Sequence, residues 1–160
     1  MPNKDIKKIK LELKPRTNQL IVAGLLVFIL AGALLLLTHA NTKNKSIVIN
    51  GTTINIELAD TEELREKGLS GRQKLESDQG LLLAFKTNGN WKIWMKDMNF
   101  PIDIVWIDDR SVVVGMKENA SPSSYPEIFS ADQLSRYVLE LPSGSVAKFG
   151  IKPGDEVNKL

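Results

Sequence analysis

The run Ser46–Leu58, SIVINGTTINIEL, decides the fold class. Apolar and polar side chains alternate on both sides of Asn50-Gly51, a pair that tolerates positive φ at both central positions of a type I′ turn. A two-residue turn sets Ile49 opposite Thr52 and Ile47 opposite Ile54. Ile56 and Leu58 continue the same face. Because a strand repeats every two residues, turn chemistry and hydrophobic pattern demand one register. A β-hairpin is the expectation.

Working towards the C-terminus, DTEELREKG (60–68) has the features of two helical turns, with Asp60 as the N-cap, Glu63 closing a capping box and Gly68 as the stop. Short apolar runs follow. GLLLAF (80–85), WKIWM (91–95), IDIVWI (102–107), SVVVGM (111–116), YVLEL (137–141) and VAKFG (146–150) all read as strands. Turn signals separate them: Thr87–Asn90, Asp108-Asp109-Arg110, Pro142-Ser143-Gly144 and Lys152-Pro153-Gly154. Residues 121–135, SPSSYPEIFSADQLS, form the longest irregular stretch. Many short strands at close spacing predict a mainly β domain, a small antiparallel sandwich or barrel with one short helix.

Working towards the N-terminus, the polar residues 39–46 read as a linker, and residues 19–38, QLIVAGLLVFILAGALLLLT, carry no charge. About 20 apolar residues in a helix span roughly 30 Å of hydrocarbon, so a single transmembrane helix is predicted to precede the domain. Six basic residues, Lys4, Lys7, Lys8, Lys10, Lys14 and Arg16, lie in the tail 1–18 against Asp5 and Glu12. That asymmetry keeps the tail cytoplasmic and puts residues 47–160 outside the membrane. Cleavage near Ala40, giving a secreted chain, is the alternative. The lipid bilayer is thus the first expected partner, through residues 19–38.

The chain has 21 basic and 19 acidic residues, and six of the basic ones sit in that tail. The basic balance is therefore no nucleic-acid surface. There is no cysteine, and the one histidine, His39, borders the apolar stretch. Histidine or cysteine catalysis and the common zinc sites are excluded for the folded part. The spacing of its acids matches no calcium loop. No metal or cofactor is expected.

Trp91–Asp109, WKIWMKDMNFPIDIVWIDD, holds all three tryptophans. If Trp91 and Ile93 face inward, then Lys92, Trp94 and Lys96 share the outer face, a stacking surface suited to sugar or peptide ligands. With reversed parity Trp94 is core and the motif is scaffold. Asp103 lies between Ile102 and Ile104 in an apolar run, so it requires a partner or solvent. Arg72, whose planar fork suits a carboxylate, is the partner predicted for it; backbone amides are the other source of donors.

Three segments, GLSGRQKLESDQGLLLAF (68–85), WKIWMKDMNFPIDIVWID (91–108) and VLELPSGSVAKFGIKPGDEV (138–157), together resemble a prokaryotic family known as domain of unknown function 192. The most specific elements are Trp94-Met95-Lys96 and Pro101-Ile102-Asp103, and the likeness runs from about Ile47 to Val157. The resemblance implies a small, mainly β domain, often exported or membrane-tethered, with no established activity. Family members usually carry asparagine where Asp97 stands and methionine where Ser70 stands. The expectation is a membrane-anchored, extracytoplasmic binding or accessory module, non-enzymatic, with an envelope glycan, peptide or protein as partner. Its candidate ligand surface is Arg72, Trp94, Lys96, Asp97 and Asp103. A hydrolase of envelope polymers using Asp97 and Asp103 is the alternative.

Overall fold

The computed structural model describes residues 45–160. Strands β1 (Lys45–Ile49) and β2 (Thr52–Ala59) form the hairpin in the expected register, Ile49 opposite Thr52 and Ile47 opposite Ile54. Asn50 and Gly51 both have positive φ, 49° and 76°. Strand β1 starts at Lys45, so the linker ends before it. The predicted cytoplasmic tail, membrane helix and the rest of the linker lie outside the described residues. Among the described residues no helix is long and apolar enough to cross a membrane.

Helix α1 (Glu62–Lys67) follows, capped by Thr61 rather than Asp60: the Thr61 hydroxyl accepts from the Leu64 amide. Its negative first turn and positive last turn, Glu62 and Glu63 against Arg65 and Lys67, both suit the helix dipole. The chain then enters β3 (Gln79–Gly89), a two-residue β4 (Ile93–Trp94), β5 (Ile102–Ile107) and β6 (Val113–Ala120). A short 3-10 turn at Pro122–Ser124 precedes β7 (Ile128–Phe129), β8 (Ser135–Pro142), helix α2 (Ser145–Phe149) and β9 (Val157–Asn158).

Seven strands make one sheet in the order β6-β5-β8-β3-β2-β1-β9, and β4 pairs with β7 in a small second sheet. The sheet is mixed, which corrects the purely antiparallel expectation. Strand β2 runs parallel to β3 because residues 60–78, with α1, give the long crossover that a parallel pair needs. It curls into a half-barrel. Near its two edges Val112 bridges Glu156, and the Val113 amide donates to the Asp155 carbonyl.

Two predicted strands need correction. VAKFG is helix α2, because Gly144 turns the chain in the left-handed region and Val146 and Phe149, three apart, pack against one core. WKIWM leaves the main sheet, since Trp91 folds back to stack on Phe85 and only Ile93 and Trp94 pair, with β7.

Both faces of the curled sheet are covered. Ile47, Ile49, Ile54, Leu82, Val105, Ile107, Leu139 and Leu141 share a core with Val146 of α2. Leu81, Leu83, Ile102, Ile104, Trp106 and Val138 share another with Leu69, Ile93 and Met95. Strand β5 is buried at all six positions for this reason, its side chains alternating between the two cores.

Candidate functional site

The loop after α1 and the loop after β4 are joined by three hydrogen bonds. The Ser70 hydroxyl donates to the Lys96 carbonyl (3.0 Å), the Gly71 amide to the Asp97 carbonyl (2.9 Å), and the Asn99 side-chain amide to the Arg72 carbonyl (2.8 Å). Leu69 and Met95 anchor the two loops from beneath and are buried. Much of the motif in residues 68–72 and 95–99 is thus a clasp.

Beside the clasp lies a cleft of about 520 Å³ between α1, β3 and the segment 91–94. Phe85 and Trp91 stack in its wall, ring centres 3.8 Å apart and planes inclined by 8°. The Arg65 guanidinium stands 5.0 Å from the Phe85 ring centre while donating to the carbonyls of Asp60 and Ala84. Trp94 belongs to the lining and is 53% exposed. Its ring meets Tyr125 edge-on at 6.4 Å, and Ile128, its partner across the small sheet, is exposed too. Of the two parities open for this segment, the outward one holds: Ile93 and Met95 are buried, while Lys92, Trp94 and Lys96 are exposed.

Glu140 also belongs to the lining, yet it is only 5% exposed. It sits on β8 opposite Leu81 and Ile104, among apolar neighbours. Among the described residues its Oε2 has no hydrogen-bond partner, and the indole N–H of Trp91 likewise has none. Burial pushes its carboxyl up to about 7, against a smaller opposing field from Arg72. Above it Gly68 has φ +49°, and a side-chain carbon there would stand 3.8 Å from Oε2. Glycine there keeps side-chain bulk off the carboxyl, although Oε2 itself is out of solvent.

Of the five candidate ligand residues, only Trp94 lines this cleft. Lys96 and Asp97 are exposed on the clasp. Asp97 has φ 56°, a left-handed conformation that aspartate and asparagine both adopt readily. Backbone geometry is thus a reason for either residue at this position. Arg72 does not meet Asp103; it grips Glu57 of β2 with two hydrogen bonds of 2.8 and 2.9 Å. Those bonds hold the Glu57 carboxyl below its ordinary range. Asp103 is fully buried, and its two oxygens accept from the Asn119 amide (2.8 Å) and the Val146 amide (2.9 Å). Backbone amides, not Arg72, are its partners, and no face remains for a ligand. Asp108 is a turn residue, accepting from the amides of Arg110 and Val112. Among the described residues no group of three His, Cys, Asp or Glu could hold a metal ion.

The residue that sequence reasoning missed is Glu140. The signal that singles out Asp103, a lone carboxylate in an apolar run, is equally present in Val138-Leu139-Glu140-Leu141. A desolvated carboxyl, paired aromatic rings and a half-exposed indole make a pocket suited to binding a small group through stacking and one strong polar contact.

Comparison with known proteins gives the same outline. The model of the family described as an uncharacterized ACR, domain of unknown function 192, matches residues 45–159. A UPF0127 protein of Thermococcus gammatolerans is 28% identical over 104 residues, a match covering 65% of this chain and 65% of the relative's own length. A crystal structure from Sinorhizobium meliloti 1021, provisionally described as a transcription regulator, superposes with TM-score 0.67 at 31% identity, over 72% of this chain and 94% of that one. A protein of unknown function from Novosphingobium aromaticivorans gives TM-score 0.66 at 29% identity, covering 71% and 83%. With its described residues matched almost end to end, the chain belongs to the family of domain of unknown function 192.

Proposed function

We propose that this protein is a membrane-tethered binding module, held by residues 19–38 with its β domain outside the cell membrane, that takes an envelope-derived ligand into the cleft between α1 and β3. The single observation that carries the binding role is Trp94, a large apolar side chain left half in solvent at a cleft already walled by two stacked aromatics. Exposed indoles beside a concave site are a common means of gripping sugar rings and peptide side chains. The tether and its orientation rest on the uncharged stretch and the basic tail. The alternative, a hydrolase using Asp97 and Asp103, is disfavoured because both Asp103 oxygens are committed to backbone amides.

Titrating the full-length chain with soluble glycopeptide fragments of the envelope, followed by tryptophan fluorescence, tests the binding role. Trp94→Ala should weaken binding by about tenfold, the scale of one lost aromatic contact. Undiminished binding contradicts this reading, and steady cleavage of the fragments supports the hydrolase. Protease added to spheroplasts should digest the chain beyond Asn41; a protected C-terminus contradicts the orientation.

A further inference from the structure

Glu140 is costly as it stands. A carboxyl 5% exposed, bordered by Leu81 and Ile104 and with one oxygen unpartnered, destabilises the fold unless something else requires it. Nothing in the architecture does. Among the described residues it holds no loop, caps no helix and pairs with no cation, since Arg72 is committed to Glu57. It does line the cleft, beneath Gly68, where any side chain would lie directly against both carboxyl oxygens. The half-exposed Trp94 gives the same cleft an open aromatic ring, a surface that attracts cations and rings alike.

We infer that Glu140 is the anchor for a protonated amine carried on an aromatic or slim apolar stem, the stem lying along Phe85, Trp91 and Trp94 and the ammonium bonding to the carboxylate at the cleft floor. This rests on the cleft being the ligand site and deepens that reading by naming the ligand's chemistry. An ammonium supplies what the carboxylate lacks, a charge-assisted hydrogen bond in a desolvated setting. A neutral hydroxyl supplies a weaker one. The other charges lining the cleft are mixed, Arg65, Lys67, Lys86 and Lys92 against Glu62 and Glu66. Lys67, Lys86, Lys92, Glu62 and Glu66 are exposed, so solvent screens them more than it screens the floor. With Glu140 titrating near 7, its ionised fraction rises from about one tenth at pH 6 to about nine tenths at pH 8. Amine binding should strengthen over that interval while alcohol binding does not.

The test compares phenethylamine with 2-phenylethanol, molecules of one shape differing at the terminal group, on the full-length chain. The indole N–H signals of Trp91 and Trp94 in 1H–15N spectra report occupancy of the cleft. The expected result is about a tenfold preference for the amine at pH 8, shrinking towards pH 6, and lost in Glu140→Gln while alcohol binding persists. Equal binding of the two by the wild-type chain, or a preference that survives in Glu140→Gln, overturns the anchor and leaves the cleft as a binding site. Failure of both probes to move either indole signal overturns the anchor together with the cleft. Should Glu140→Gln not fold, the wild-type preference and its pH dependence decide the matter alone.

Discussion

Asp103 and Glu140 are both buried carboxylates on neighbouring strands, one register step apart: Asp103 faces Leu141 and Glu140 faces Ile104 across the β5–β8 pair. That single step sends them to opposite faces of the sheet. Asp103 points into the core shared by Val105, Ile107, Leu139 and Leu141, where the amides of Asn119 in β6 and Val146 in α2 converge on it. Glu140 points into the other core, where an oxygen finds no donor and a cleft opens above. Burial alone therefore says little about role. What separates architecture from function here is whether the polar group's hydrogen bonds are answered within the fold.

The largest effect that sharpens this contrast is expected at Asp103. Replacing it with alanine strands the buried Val146 amide in the first turn of α2 and the part-buried Asn119 amide, at up to about 1–3 kcal/mol each. Urea unfolding of Asp103→Ala should show a loss of about 2–5 kcal/mol. A loss below about 1 kcal/mol would mean that the amides find other acceptors.

Glu140 should behave in the opposite sense. Its carboxyl is raised in the folded state from 4.5 to about 7, so between those values the folded chain binds more protons than the unfolded one. Its contribution to stability is therefore lost as pH rises from about 4.5 to 7 and stays lost above. Glu140→Gln removes that dependence. The variant should gain on the wild-type chain by about 2–4 kcal/mol between pH 4.5 and pH 8, read as the difference of their unfolding curves. Parallel stability profiles would place Glu140 in a wetter or better-paired setting.

The hairpin gives a smaller and purely local effect. Gly51 has open space around it, so only its φ of +76° opposes a side chain. Gly51→Val should cost about 1–3 kcal/mol, and an unchanged melting temperature would show that the turn relaxes. The smallest effect belongs to Arg72 and Glu57, whose side chains are 32% and 57% exposed. A double-mutant cycle between them should give a coupling of about 0.2–1 kcal/mol. The cycle between Arg72 and Asp103 should give none, and clear coupling there would contradict the pairing found.

The hairpin, the β5–β6 pair around Asp108 and the strand at 137–141 were legible because local turn chemistry and alternation agree there. The short helix was legible too, with its cap one residue late, because Thr61 competes with Asp60 for the same role. Helix α2 was not legible. Its five residues, Ser145–Phe149, fit a strand as well as a helix until the Asp103 carboxylate meets the Val146 amide from another strand. The cleft was hidden for the same reason: it needs α1, β3 and Trp91 brought together across the sequence. The sequence marks Trp94 as a stacking candidate, and the fold decides that it is exposed. Glu140 carried a visible signal, but its meaning depends on Asp103 being satisfied and Glu140 not, a distinction that only three-dimensional neighbours make.

The central claim, that Glu140 is kept unpartnered for an amine, is tested most directly by following the Glu140 side-chain carbonyl carbon by NMR across pH, with and without phenethylamine. The expected midpoint is about 7 in the free chain, moving clearly downward when the amine is bound, because the bound ammonium stabilises the carboxylate. A midpoint at the ordinary glutamate value, or one that the amine leaves in place, contradicts the claim.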